Sequence, residues 1–165
     1  MGIIKHRPDP QKSLVGFVVG DVSYAVPISA VKEIINPATL TELPHAPAAV
    51  AGVADHRGEV VPIVDLRVRF GLPKSLDPRR QKWILVDVQG RSVGLSVDRV
   101  TDVFGTGGSE LRPPPNLGQG DDLRGIAGVT SHDGALTFVL DVVRFDNILK
   151  PLLQSKLLEP GQGPR

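Results

Sequence analysis

The chain has 165 residues, 41% of them hydrophobic and 22% charged, with a formal net charge of +1. That length suits one domain of ordinary size or two small ones sharing a core, and the apolar content argues against a largely disordered chain. Balanced charge and only 4% aromatic residues, none alternating with Lys or Arg as a base-stacking surface requires, argue against nucleic acid as a partner. Cysteine is absent, which removes disulfides, thiolate zinc sites and thiol nucleophiles together.

The opening segment MGIIKHRPDPQK is polar and broken by proline, and reads as an N-terminal arm over 1–12. It has no signal-peptide core, and no run approaches the ~18 apolar residues of a membrane span, so the expectation is a cytoplasmic protein without direct membrane insertion. Leu14 to Val19 and Tyr24 to Ile28 then read as strands around the turn Gly20-Asp21-Val22-Ser23. Ser29 to Ile35 reads as a short helical turn entering another strand, and the prolines of NPATLTELPHAP make an extended connector. The hairpin AVAGVADHRGEVVPIVDL, residues 49–66, carries the polar tetrad Asp55-His56-Arg57-Gly58 at its tip. After the turn-rich RFGLPKSLDPRRQK, strands are expected from Trp83 to Val88 and Val93 to Val97, leading into DRVTDVF. A loop near 105–124 contains three consecutive prolines, which exclude a central strand. A last hairpin over 125–142 and a short C-terminal helix with a frayed tail, 151–165, complete the chain. Many short Val-rich runs punctuated by 18 glycines and 15 prolines make an all-β pattern.

The chain also repeats itself. Residues 49–66 and 125–142 align without a gap at an offset of 76, matching Ala51 with Ala127, Gly52 with Gly128, His56 with His132, Gly58 with Gly134 and Asp65 with Asp141. A looser match relates FVVGDVSYAVPISAVKEI to LVDVQGRSVGLSVDRVTDV, read with one residue fewer in the second turn. Two half-domains of about 70 residues follow, each too small to bury much surface alone, so they are expected to pack together. Arg57 faces Asp133 in the repeat, and Pro62 faces Phe138; a proline inside a strand implies an edge or a bulge.

The chemistry in these residues is thin. His56 and His132 occupy equivalent tips without clustered acids at ligand spacing, so they read as surface turn residues and no metal or cofactor is expected. Ser131-His132-Asp133 are consecutive and cannot form a nucleophile–base–orienter line, which argues against an enzyme. The glycines of GTGGSE lack phosphate-loop spacing. Arg57 stands as either a solvated turn residue or a binding residue, because arginine offers a rigid fork of donors.

The segments GDVSYAVPISAVKEII, LPHAPAAVAGVADHRGEVVPIVDLRVRFGLP, VGLSVDRVTDV, LRPPP and GIAGV followed by LDV, in that order, resemble the CheW-type chemotaxis coupling proteins over about residues 13–150. The resemblance implies two intertwined five-stranded SH3-like β-barrels. It also implies a non-catalytic adaptor joining the cytoplasmic tip of methyl-accepting chemoreceptors to the regulatory domain of a CheA-type histidine kinase, in membrane-associated receptor arrays. By position it places Arg57 beside the partner surfaces, with His56 next to it, and Ile28, Val31 and Glu33 near partner contacts. Gly52, Gly94, Val100 and Val103 line or shape the groove between the barrels. Asp55-His56 stand where the family has Asn-Leu, which suggests a pathway-specific partner set in surface motility or development. The reading from another class is a small β-barrel ligand-binding regulator or hydrolase using the His-tipped turns.

Overall fold

The structure, a computed structural model, describes residues 13–106, 111–114 and 125–145. The N-terminal arm, most of the triple-proline loop and the expected C-terminal helix and tail lie outside the described residues. Ten strands carry the fold: β1 Ser13–Val19, β2 Val22–Pro27, β3 Val31–Ile35, β4 Val50–His56, β5 Glu59–Asp65, β6 Lys82–Val88, β7 Arg91–Val97, β8 Arg99–Gly105, β9 Ile126–His132 and β10 Ala135–Leu140. One turn of helix, α1 Leu66–Arg69, and 3-10 turns at Ile28–Ala30, Pro78–Arg80 and Val142–Phe145 complete the described elements.

Three hairpins close on two-residue turns whose central positions both have positive φ: Arg57-Gly58 at 53° and 82°, Gln89-Gly90 at 51° and 84°, Asp133-Gly134 at 50° and 77°. This geometry matches the twist of antiparallel strands, and a glycine at the second position meets it without a Cβ clash. Asp55 Oδ1 and Asp87 Oδ1 accept the Gly58 and Gly90 amides at 2.9 Å and hold two of the turns from inside.

The strands form two five-stranded sheets, ordered β8-β1-β2-β10-β9 and β3-β6-β7-β5-β4, with parallel pairing only at β2–β10 and β5–β7. Each sheet takes strands from both halves of the sequence. β1 and β2 are joined by β8, β9 and β10, while β6 and β7 are joined by β3, β4 and β5. The half-domains read from the repeat are therefore not modules: each donates three strands to the other, the intertwining that the resemblance implied. The looser repeat proves gapless in space, at an offset of 69, so the expected one-residue gap in its second turn is not there. Leu14 pairs Phe104 as Trp83 pairs Ile35, and Phe17 pairs Val100 as Val86 pairs Val31.

One core runs through both sheets, with Phe17, Tyr24, Val26, Val64, Leu66, Ile84, Leu95, Leu140 and Phe145 in a single cluster. A buried side chain of this size contributes roughly 1.5–3 kcal/mol, so separating the sheets forfeits more than either sheet's own satellite cluster supplies. Those satellites are Ala54, Val61, Ile63, Trp83 and Leu85 on one side and Leu14, Ala25, Phe104 and Val139 on the other. Tyr24 stacks on Phe70 at 4.8 Å, and Arg67 Nη1 donates to Asp98 Oδ2 at 2.7 Å while the same oxygen accepts the Gly20 amide. That carboxylate ties α1, the β1–β2 turn and the β7–β8 junction together.

Asp65 and Asp141 close their strands as their place in the repeat predicts. Asp65 Oδ1 accepts the Arg67 and Val68 amides, and Asp141 Oδ1 accepts the Val143 amide. Burial pushes the Asp65 carboxyl above its ordinary value against the pull of those amides and of Arg67 and Lys74. Of the two readings of Pro62, an edge or a bulge, the edge fails, because β5 lies between β7 and β4, while the β4–β5 ladder does carry a register shift. Its partner Val53 turns both backbone groups away to Thr41, at 2.8 and 2.9 Å, and pairing with β7 begins at Ile63. The missing donor therefore falls where the ladder asks for none, beside a bulge between Val50 and Gly52.

Candidate functional site

Sheet order leaves β3 and β4 as the two edges of the second sheet, and side chains at the 49–66 hairpin tip bring them together. Glu33 on β3 offers one oxygen to His56 Nε2 and the other to Arg57 Nη2, both at 3.0 Å. His56 is mostly covered, whereas the Arg57 side chain is 76% exposed, so one edge of its guanidinium is anchored and the rest of the fork faces solvent. Lys32 Nζ donates to Ser92 Oγ, which donates to Glu59 Oε2. Glu33 is thus paired with both His56 and Arg57, while Lys32 and Glu59 meet through the Ser92 hydroxyl.

The first sheet closes by the same device. Asp102 on edge strand β8 meets His132 Nε2, at the end of edge strand β9, at 2.7 Å, and the imidazole lies flat on Phe104 with ring centres 3.6 Å apart. The hydrogen bond from His132 holds the Asp102 carboxyl below its ordinary value. Reading the histidines as bare turn residues missed these carboxylates, which arrive from strands 23 and 30 residues away. The gapless offset of 69, which superposes Glu33 on Asp102, is the sequence signal that pairs them.

The nine residues singled out in the sequence are spread over both sheets; the side chains of Glu33, His56 and Arg57 are bonded together, and the Val31 amide donates to the Ile28 carbonyl. Ile28, Val31 and Val100 are half-buried against the shared core, while Val103 is 52% exposed on β8. Gly52 is buried under the 36–47 connector, where a Cβ would stand 2.6 Å from the Thr41 carbonyl oxygen. Gly94 is interior, where a Cβ would stand 2.4 Å from Ile63 Cδ1. Exposed apolar residues also recur in pairs, of which the sequence reading singled out only Val103. Ile34 and Val103 are equivalent at the offset of 69, Val60 and Leu136 at 76, and all four are between 41% and 55% exposed. Ile34 follows Glu33 on β3, so its side chain projects from the opposite face of that strand to the Glu33–Arg57 pair.

No helix among the described residues is long and apolar enough to cross a membrane. Residues 13–147 match the family model of the CheW-like domain. Chemotaxis protein CheW of Rhizobium meliloti (strain 1021) is 34% identical over 138 residues, covering 84% of this chain and 89% of that protein. Protein FrzA of Myxococcus xanthus is 32% identical over 149 residues, covering 88% and 89%. The crystal structure of the scaffolding protein TtCheW from Thermoanaerobacter tengcongensis superposes with a TM-score of 0.73 at 27% identity, over 86% of this chain and 91% of that one. The match spans both interlocked sheets and both histidine-closed edges, and the chain belongs to the family of CheW-like domains.

Proposed function

We propose that the chain is a chemosensory coupling adaptor, acting by contact alone, that joins the cytoplasmic tip of methyl-accepting chemoreceptors to the regulatory domain of a CheA-type histidine kinase. The observation that carries the reading is the half-anchored Arg57 at an exposed hairpin tip. Pre-anchoring lowers the entropy lost when a partner takes the free side of the fork, and arginine in such a place is a common interface hot spot. Glu33 positions Arg57, and His56 shares that carboxylate. Ile28, Val31, Val100 and Val103 supply apolar contact, with Gly52 and Gly94 shaping the backbone beneath. Residues 13–150 act as one domain, in the cytoplasm and recruited to receptor arrays, where many modest interfaces add to an ordered lattice.

The test is retention by an immobilised kinase regulatory domain and by a receptor-tip fragment, each at tens of micromolar. Arg57→Glu is expected to weaken at least one complex tenfold or more, about 1.4 kcal/mol, with an unchanged thermal melt. Failure of the wild-type chain to bind either partner would sink the adaptor reading. His56 in the family's leucine position, and relatives that divide between proteins named for chemotaxis and FrzA, support a specialised motility pathway. Restoration of swimming chemotaxis in a strain lacking its standard coupling protein would overturn that refinement.

A further inference from the structure

Charge is balanced over the chain but not along it. Residues 67–82, which run from α1 through the following loop to the start of β6, hold six of the 19 lysines and arginines and one of the 18 aspartates and glutamates, so the remainder, 13 against 17, is net acidic. The repeat does not carry this feature across, since Arg67 and Arg69 face Val143 and Phe145 at the offset of 76. Nor do local acids absorb the charge. Asp98 takes Arg67 at 2.7 Å and Asp77 takes Arg80 at 3.3 Å, while Asp65 is held by amides of α1 and feels Lys74 only through space. Among the described residues Arg69, Lys74 and Arg79 pair with no carboxylate, and Lys82 Nζ donates to the neutral Asn36 side chain.

The loop is also held in shape. Arg67 Nε donates to the Pro73 carbonyl at 2.8 Å, and the Gly71 and Leu72 amides donate to the Val68 and Arg67 carbonyls. Leu72 packs over the β1–β2 turn, where its Cδ1 would stand 2.8 Å from a Cβ at Gly20. Pro73 and Pro78 fix φ at two points along the loop. Between them Leu76 is fully exposed, and Lys74, Arg79 and Arg80 around it are exposed too. Such exposure leaves all of a leucine's transfer free energy to be gained on contact, and an anchored base reduces the entropy lost when contact is made.

We propose that this loop is a docking surface for an acidic protein segment, which covers Leu76 with an apolar side chain and meets Lys74, Arg79 and Arg80 with carboxylates. One apolar anchor within a rim of cations is the anatomy of a small protein–protein contact, and the arginine fork matches a carboxylate bidentately. A single free leucine beside one turn of helix falls short of the apolar face by which an interfacial helix enters a lipid surface. No exposed aromatic stands within residues 67–82 to stack a nucleic-acid base. β5 runs seven residues, about 20 Å of strand, from the Arg57 tip to α1. The two surfaces are therefore separate, beyond the reach of screened charge, and the loop gives the chain a further contact at its other end.

A fluorescein-labelled peptide of glutamates with central leucines, followed by anisotropy as the full chain is added, is expected to bind saturably and to weaken as salt is raised. Lys74→Glu combined with Arg79→Glu lowers its affinity about tenfold or more, and Leu76→Ser about threefold or more. These side chains are exposed and hold no hydrogen bond, so the thermal melts of the variants match wild type. An all-glutamate peptide binds more weakly than the one with leucines, and Arg57→Glu leaves the affinity unchanged. Absence of saturable binding to the wild type overturns the proposal, as does binding that survives the double reversal or falls equally with Arg57→Glu. Equal binding of the all-glutamate peptide would reduce the surface to diffuse attraction and overturn it too. Saturable binding of phosphatidylglycerol vesicles or duplex DNA without the peptide would assign the loop to another class of partner. None of these outcomes depends on the kinase or receptor, so the adaptor reading stands or falls separately.

Discussion

Replacing Gly94 by alanine separates a packing role from a contact role at a position the family resemblance placed near the groove. The new methyl would sit 2.4 Å from Ile63 Cδ1 and 3.3 Å from Leu85 Cδ2, against an optimal carbon separation of roughly 3.5–4.0 Å. Ile63 is 1% exposed and has nowhere to retreat. The other half of the molecule holds the complementary solution. Ala25 faces Val139 across β2–β10 as Gly94 faces Ile63 across β7–β5, so one methyl has moved from one partner to the other. Overpacking costs about 1–3 kcal/mol and alanine regains about 0.5–1 over glycine in a strand, so Gly94→Ala is expected to lose about 0.5–2 kcal/mol. Ile63→Val alone is expected to lose about 0.5–1.5 kcal/mol. The double variant recreates the pair found in the other half and is expected within about 0.5 kcal/mol of wild type, a favourable coupling of about 1–3 kcal/mol. Urea unfolding measures the four stabilities, and retention on the kinase domain is read on the same samples. Additive losses would refute the packing argument. Recovered stability with binding still lost would make Gly94 a contact residue.

At Gly52 the obstacle is backbone, with φ at +153° and Thr41 oxygen 2.6 Å from a Cβ, so Gly52→Ala is expected to cost at least about 2 kcal/mol and to speed hydrogen exchange at Thr41 and Val53. Arg67→Ala removes bonds to Asp98 and to the Pro73 carbonyl at a site less than a quarter exposed, and denaturation should register a loss of about 1–3 kcal/mol. Asp65→Ala should cost about 1 kcal/mol through the lost cap, and Asp65→Asn less, because the amide oxygen still accepts the Arg67 N–H. Since burial raises the folded carboxyl above the unfolded 3.8, wild-type stability relative to Asp65→Asn should be greatest below that value and decline as pH rises through the folded one. A difference that grows in the opposite direction would show that the amide hydrogen bonds outweigh desolvation.

Strands and turns were legible because alternation, glycine position and the gapless repeat are local signals. Partner choice was not. Nothing in the β3 sequence says that Val31–Ile35 leaves the hairpin it follows to pair with Lys82–Val88, so the halves read as modules although neither sheet draws on one half alone. Pro62 reads as either an edge or a bulge because composition does not show that Val53 turns its hydrogen bonds to Thr41. Gly52 and Gly128 were visible as repeats, but their reason is the backbone lying over them, Thr41 in one half and Leu111-Arg112 in the other. The histidines were visible and their carboxylates were not, since closure joins edges that are distant in the chain.

The departure at His56 acquires a physical meaning from that closure. Glu33 has two carboxylate oxygens and two claimants, His56 Nε2 on one and Arg57 Nη2 on the other. A leucine in place of His56 leaves both oxygens to Arg57, and a carboxylate with both oxygens free draws a guanidinium into a bidentate pair lying against the protein. With the histidine present Arg57 keeps a single anchoring bond and most of its fork exposed, held in direction and open to a partner's acceptor. His132 draws Asp102 in the same way, but there the tip residue is Asp133, so the second closure turns a carboxylate outward where the first turns a guanidinium. One skeleton used twice therefore presents two tips of opposite charge.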